Sequence, residues 1–220
     1  MEGMYDGNFQ VREVGRPSYA NSLTLPGLVT QKTESIKSLD LRNKTGERID
    51  VHADGCMMVS LYNALVINGY KQNFEEFTKN LVSNDCINQD GSIEWAAFNN
   101  LDTDYNFRWM QDSEIKKCDR VNINNLDDWV KTKNFALAKV QSVFLPWKRH
   151  FMVVLGVDKG NVECLEASAI GGKLKLRTIP ENQILGVRYF KLKQGNPQPN
   201  QPGFKQISPF SKTEPASLLT

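Results

Sequence analysis

The longest nearly unbroken apolar stretch, Cys56 to Asn68 (CMMVSLYNALVIN), contains no proline and stops at Gly69, a residue type suited to the position after a helix. A segment apolar on every side predicts a buried central helix rather than an amphipathic surface helix. Next, Asn73 with Glu76 three residues on opens NFEEFTKNLVSN as a capping box does, and Phe74, Phe77, Leu81 and Val82 share one face. Ser92 before IEWAAFNNL predicts a third helix, and Asn125 before LDDWVKTK a shorter fourth. From Phe135 the period changes: FALAKVQSV and HFMVVLGVD are β-rich runs, the second closed by Lys159-Gly160-Asn161 and answered by NVECLEAS, which predicts a hairpin. KLKLRTI then alternates, IPENQIL reads as a short turn or helix, and GVRYFKLK returns as a strand. Four helices followed by about five antiparallel strands imply segregated layers, an α+β fold.

Both ends differ from this middle. Five of the nine prolines (Pro197, Pro199, Pro202, Pro209, Pro215) fall in the last 24 residues, which excludes a helix or a central strand there. The first 35 or so residues are polar and turn-rich around Gly15-Arg16-Pro17 and Pro26-Gly27. The expected organisation is an extended N-terminal arm over 1–37, a domain over 38–193 and a Pro-rich C-terminal arm over 194–220. In the last arm Phe204, Ile207 and Phe210 are sparse anchors for this domain or for a partner.

At 220 residues, 40% hydrophobic and 24% charged, the chain can close one core. No stretch reaches the roughly 18 apolar residues of a membrane span, and MEGMYDGNFQVREVG has no apolar signal segment. The expectation is a protein made in the cytoplasm without a signal peptide and without a membrane span. Twenty-seven basic against twenty-five acidic residues give a formal charge of +2, too balanced for nucleic acid to be an expected partner. Cys56, Cys86, Cys118 and Cys164 form no C-x-x-C pair, so neither a zinc knuckle nor a dense disulfide scaffold is indicated, and all four read as reduced thiols. His52 and Cys56 stand four apart but no second pair accompanies them, so no metal and no cofactor are expected.

The chain has two histidines, and His150 opens the most hydrophobic strand. A strand-edge histidine bonded to backbone or solvent would account for it; a reactive role needs a partner. Cys56 is a candidate, because Asp54-Gly55 makes a turn and the cysteine then opens the long helix, where unpaired amides and the helix dipole favour a thiolate. The plain alternative is a small buried hydrophobe, the reading kept for Cys86, Cys118 and Cys164.

Taken together, ADGCMMVSLYNALVINGY, NLVSNDCINQDGSIEWAAF, FALAKVQ and RHFMVVLGVDKGNVECLEAS resemble the papain-like cysteine peptidases that cleave double-glycine leaders of bacteriocins. They are more closely similar to bacterial and phage-borne relatives with a G-C-x-x-x-S-L helix, a G-x-I-x-W segment and an H-F-x-V-V-x-G-x-D hairpin. Both arms lie outside the resemblance.

The resemblance implies a papain-like fold, with the central helix starting at Cys56 packed on the C-terminal sheet, Cys56 as nucleophile and His150 as general base. The family's third member is an aspartate on the strand after the hairpin, usually followed by proline; here Glu166 in CLEAS takes that position, one methylene longer. Ser168 and Asp158 are weaker stand-ins, and Glu166 can also be read as a plain strand-edge carboxylate. The relatives place a glutamine six residues before the nucleophile to donate to the oxyanion. That position is Asp50 here, and no glutamine occurs between Gln31 and Cys56, which leaves His52 and the Cys56 amide as donors. Trp95, Trp109 and Trp129 read as core, Trp147 as core or as the wall of a cleft, and Lys148-Arg149 as a solvated loop.

Two functions of different class follow. One is a papain-like cysteine hydrolase cleaving a peptide or isopeptide bond of a peptide or protein substrate through Cys56, His150 and Glu166. The other is a catalytically inactive papain-like domain serving as a structural subunit of a bacteriophage virion or tail, docked on assembly partners through its two arms. A peptide- or peptidoglycan-binding module using the same cleft is a third reading.

Overall fold

The structure, a computed structural model, describes residues 27–32, 36, 39–43, 45–51, 55–70, 73–88, 92–101, 107–110, 123–132, 134–141, 149–167 and 173–193. Most of the expected N-terminal arm (residues 1–26) and all of the expected C-terminal arm (residues 194–220) lie outside the described residues. Residues 28–32, within the stretch expected to be an arm, are packed into the domain, with Thr30 and Gln31 buried.

A two-residue hairpin, β1 (Leu41–Arg42) and β2 (Arg48–Ile49), comes first. The expected central helix follows as α1 (Cys56–Ile67), and Gly69 after it adopts φ +95, the left-handed conformation that glycine takes without strain. Every residue from Met58 to Leu65 is buried, as an apolar helix without a polar face requires. Helix α2 (Phe74–Ser83) carries the expected capping box: Asn73 accepts from the Glu76 amide and the Glu76 side chain accepts from the Asn73 amide. Its apolar face sets Phe74 edge-on and Phe77 at a tilt against Tyr62 of α1.

Helix α3 (Trp95–Asn100) begins later than the sequence indicates. Ile93 is drawn into an antiparallel bridge with Ile87, so the carboxylate of Glu94, not Ser92, caps the helix by accepting from the Ala96 amide. Strand β3 (Phe107–Trp109) comes next, before α4 (Ile123–Lys131).

Strands β4 (Phe135–Gln141), β5 (Arg149–Asp158), β6 (Asn161–Glu166), β7 (Lys175–Pro180) and β8 (Ile184–Leu192) complete the chain, with a 3₁₀ turn over Glu181–Gln183. The β5–β6 hairpin turns at Lys159 and Gly160, both with positive φ as a two-residue primed turn demands.

The six strands form one antiparallel sheet in the order β3-β8-β4-β5-β6-β7, so the fold is a mixture of helix and antiparallel sheet. The expectation of about five strands, all after the helices, is corrected by β3. It precedes α4 yet pairs with β8 at the edge of the sheet, and three residues are too few to show a two-residue period in the sequence. Alternation along the strands gives the sheet two apolar faces. Phe151, Val153, Leu165, Leu137 and Phe190 join the core built around α1, whereas Met152, Val154, Cys164, Ala138 and Val140 pack with Leu126 of α4 on the other side. No helix among the described residues is long and apolar enough to cross a membrane.

Phe77 is fully buried between α1 and α2, whereas Asn73 acts only at a solvent-facing helix end. Phe77→Ala is therefore expected to cost about 3–5 kcal/mol of unfolding free energy and Asn73→Ala about 1 kcal/mol. Urea denaturation of the two variants checks this, and equal losses would refute the packing described.

Candidate functional site

Cys56 is the first residue of α1 and is half-buried, while the next turn of the helix runs entirely through the core. The turn that delivers it depends on Gly55, whose amide donates to the Val51 carbonyl at 3.0 Å. A Cβ on Gly55 would come within 2.5 Å of that same carbonyl oxygen and 2.8 Å of Val51 Cα, so a side chain cannot be placed there without moving the backbone. Among the described residues no side chain caps the helix start. The first-turn amides of a helix have no intrahelical acceptor, so the partial positive charge they carry lies beside the Cys56 sulfur.

His150 stands at the opposite component of the site, second residue of β5 and opposite Val140 of β4. Its Nε2 lies 3.7 Å from Oε1 of Glu166, the last residue of β6; the two side chains are only 12% and 11% exposed. The separation is too long for a hydrogen bond, and the contact is an ion pair only when His150 is protonated. The other oxygen of Glu166 is occupied: Arg177 Nε on β7 donates to Oε2 at 2.6 Å. Burial pushes the His150 pKa down, the Glu166 carboxylate draws it back up, and the Arg177 guanidinium pushes it down again, with the net direction downward. Cys164, two residues before Glu166 on the same strand, is fully buried and its thiol is pushed far up, so it is no nucleophile.

Two sets of hydrogen bonds tie the tip of α1 to this end of the sheet. Ser60, one helical turn after Cys56 and on the same side of the helix, donates its hydroxyl to the carbonyl of Phe151, the residue next to His150, at 2.9 Å. Gln31 makes the second link. Its backbone amide donates to the carbonyl of Ala167, the residue next to Glu166, at 2.9 Å, and its side-chain amide donates to the Val51 carbonyl at 3.1 Å, the acceptor also used by Gly55. Asn63 of α1 holds the same segment in place by pairing with both the amide and the carbonyl of Val29.

The expected residues therefore fall as follows. His150 and Glu166 are brought together directly, and Cys56 is attached to their end of the sheet through Ser60 and Gln31. Asp158 is excluded as the orienting group: it pairs with Asn161 at the far end of β5, roughly 27 Å along the strand from His150. Asp50 is exposed. His52, Cys118, Trp147, Lys148 and Ser168 lie outside the described residues, as does the side chain of Arg149. Trp95 is buried, 5.8 Å from the half-buried Trp109, and Trp129 is half-buried with its indole donating to the Phe135 carbonyl. Cys56, Cys86 and Cys164 are thiols. Among the described residues no three His, Cys, Asp or Glu side chains converge as metal ligands.

Gln31 and Arg177 were given no role from the sequence, and Ser60 was noted only as the serine of the G-C-x-x-x-S-L pattern. Ser60 had a signal, its four-residue spacing from Cys56; the other two depend on which segments meet across the fold.

Comparison with family models, with curated proteins and with solved structures gives no match to this chain.

The downward shift of His150 has a consequence for stability. Below its ordinary value of 6.5 the unfolded chain takes up a proton that the folded site resists, so the unfolded state binds more protons and stability falls as pH falls from that value toward the lower folded one. Urea unfolding at pH 7.5 and 5.5 should show this loss in the unaltered protein and a smaller one in His150→Asn. An identical pH dependence in both would show that His150 is not held as described.

Proposed function

We propose that the protein is a papain-like cysteine hydrolase that cleaves a peptide or isopeptide bond, with Cys56 as nucleophile, His150 as general base and acid, and Glu166 orienting the imidazole. The observation that carries this reading is the buried His150–Glu166 pair at the end of the sheet to which the tip of α1 is tied. It is supported by the sequence resemblance, which assigns these same three positions.

In this mechanism the imidazole takes the Cys56 proton and the thiolate attacks the substrate carbonyl carbon, forming an S–C bond and placing negative charge on oxygen. The C–N bond then breaks, and the departing amine receives the proton from the imidazolium. Water, deprotonated by the imidazole, attacks the thioester; the S–C bond breaks and the sulfur regains its proton. The amides of the first turn of α1 supply donors for the oxyanion.

A second reading, an inert papain-like domain retained as a structural subunit of a phage particle, is favoured by one observation. Asp50, six residues before Cys56, is an exposed carboxylate at the sequence position where the family that the chain resembles has an amide donor.

Alkylation with iodoacetamide, followed by peptide mapping, separates the two. The hydrolase reading expects Cys56 to react well below the ordinary thiol pKa of about 8.5 and far faster than Cys86, Cys118 and Cys164. His150→Ala should then slow Cys56 by about 10²–10⁴-fold at pH 6.5, and Cys56→Ser should abolish hydrolysis. Slow and equal labelling of all four cysteines would leave the inert domain standing.

A further inference from the structure

We propose that Arg177 is a positioning residue of this site: by holding Oε2 of Glu166 it turns Oε1 toward His150 and limits how much of the carboxylate's charge reaches the imidazole. This rests on the reading of His150 as the base of the site. Arg177 has no place in the three-residue arrangement that the resemblance implies.

The geometry is specific. Arg177 lies on β7 opposite Cys164 and therefore two residues inward from Lys175, the cross-strand partner of Glu166. Its guanidinium reaches diagonally across the ladder to the carboxylate at the strand end, a distance that long side chains span. All three groups are nearly buried, with side-chain exposures of 14% for Arg177, 11% for Glu166 and 12% for His150. At such burial a carboxylate left to one weakly held imidazole would be poorly compensated, whereas the short charge-assisted bond from Arg177 satisfies one oxygen and fixes its orientation. A glutamate has one more rotatable bond than an aspartate, and the clamp removes that freedom.

Of the charged groups near the imidazole, Glu166 and Arg177 act on it in opposite directions. The elements packed against β5 carry further ones: Lys139 on β4, Glu163 on β6, and Asp127 and Asp128 on α4, the first of these paired with Lys131. Cys56 on α1 is the titratable thiol that the mechanism couples to His150.

Histidine side-chain NMR of the full-length protein, assigned with His150→Gln, tests the proposal. In Arg177→Met the His150 midpoint should rise by about one unit or more, because a repelling cation is lost and the carboxylate is released to the imidazole. Arg177→Lys keeps the charge without the planar fork and should fall between; Glu166→Gln should lower the midpoint. An unmoved midpoint in Arg177→Met overturns the proposal. If that variant does not fold, an unmoved midpoint in Arg177→Lys or in Glu166→Gln does so equally. Cys56 alkylation against pH is measured on the same samples. Reactive Cys56 with an unmoved His150 defeats the clamp alone, and an unreactive Cys56 with a midpoint that follows Arg177 defeats the hydrolase alone.

Discussion

A helix buried on every side cannot leave a polar side chain unpaired, and that constraint organises this molecule. Helix α1 brings Ser60 and Asn63 into the core, each with no exposure. A buried hydroxyl or amide without a partner costs about 1–3 kcal/mol, so each must find an acceptor or donor on the element that covers it. Ser60 finds the Phe151 carbonyl of β5, and Asn63 finds both backbone groups of Val29. The same bonds that satisfy the helix therefore fix its rotation and height against the sheet and strap residues 28–32 across it. The position of Cys56 follows from this, since it is one turn from Ser60 on a rod that cannot slide.

The site at the end of the sheet obeys a different constraint, the cost of burying charge. A buried carboxylate needs partners that replace the water it has lost. Glu166 has a guanidinium on one oxygen and an imidazole facing the other, and the field at His150 is the difference between an attracting anion and a repelling cation. Burial decides the net direction, leaving the imidazole less basic than in water. An imidazole in that state can accept a proton from a thiol and return it to a leaving amine near neutral pH, which a strongly cationic one cannot do.

The elements with a strong local signal were legible in the sequence. The uniform apolarity of α1, the Asn73–Glu76 box of α2 and the Lys159-Gly160 turn each express a short-range rule, and the structure follows each of them. The start of α3 was misplaced because Ser92 competes with a long-range pairing of Ile93 that no local pattern announces. Strand β3 escaped because its order comes from β8, more than 70 residues further on. The site divides in the same way. A cysteine after Asp54-Gly55 and a histidine at a strand start are visible as residues, whereas Arg177 looks like one of several cations in KLKLRTI until the β6–β7 register sets it diagonal to Glu166.

Gln31 shows the same limit from the other side. As an isolated polar residue in a turn-rich segment it carries no local signal, yet it is buried and joins the residue after Glu166 to the turn before Cys56. The end of β6 that carries Glu166 and the segment that leads into α1 thus meet on one residue, the first at its backbone amide and the second at its side chain. Because Val51 accepts from both Gln31 and Gly55, and Gly55 has no room for a Cβ, a change in either neighbour shifts the helix tip relative to the sheet. The placement of Cys56 relative to the sheet end that carries His150 and Glu166 is in this sense a property of the strap and of the buried helix, set by residues outside that trio.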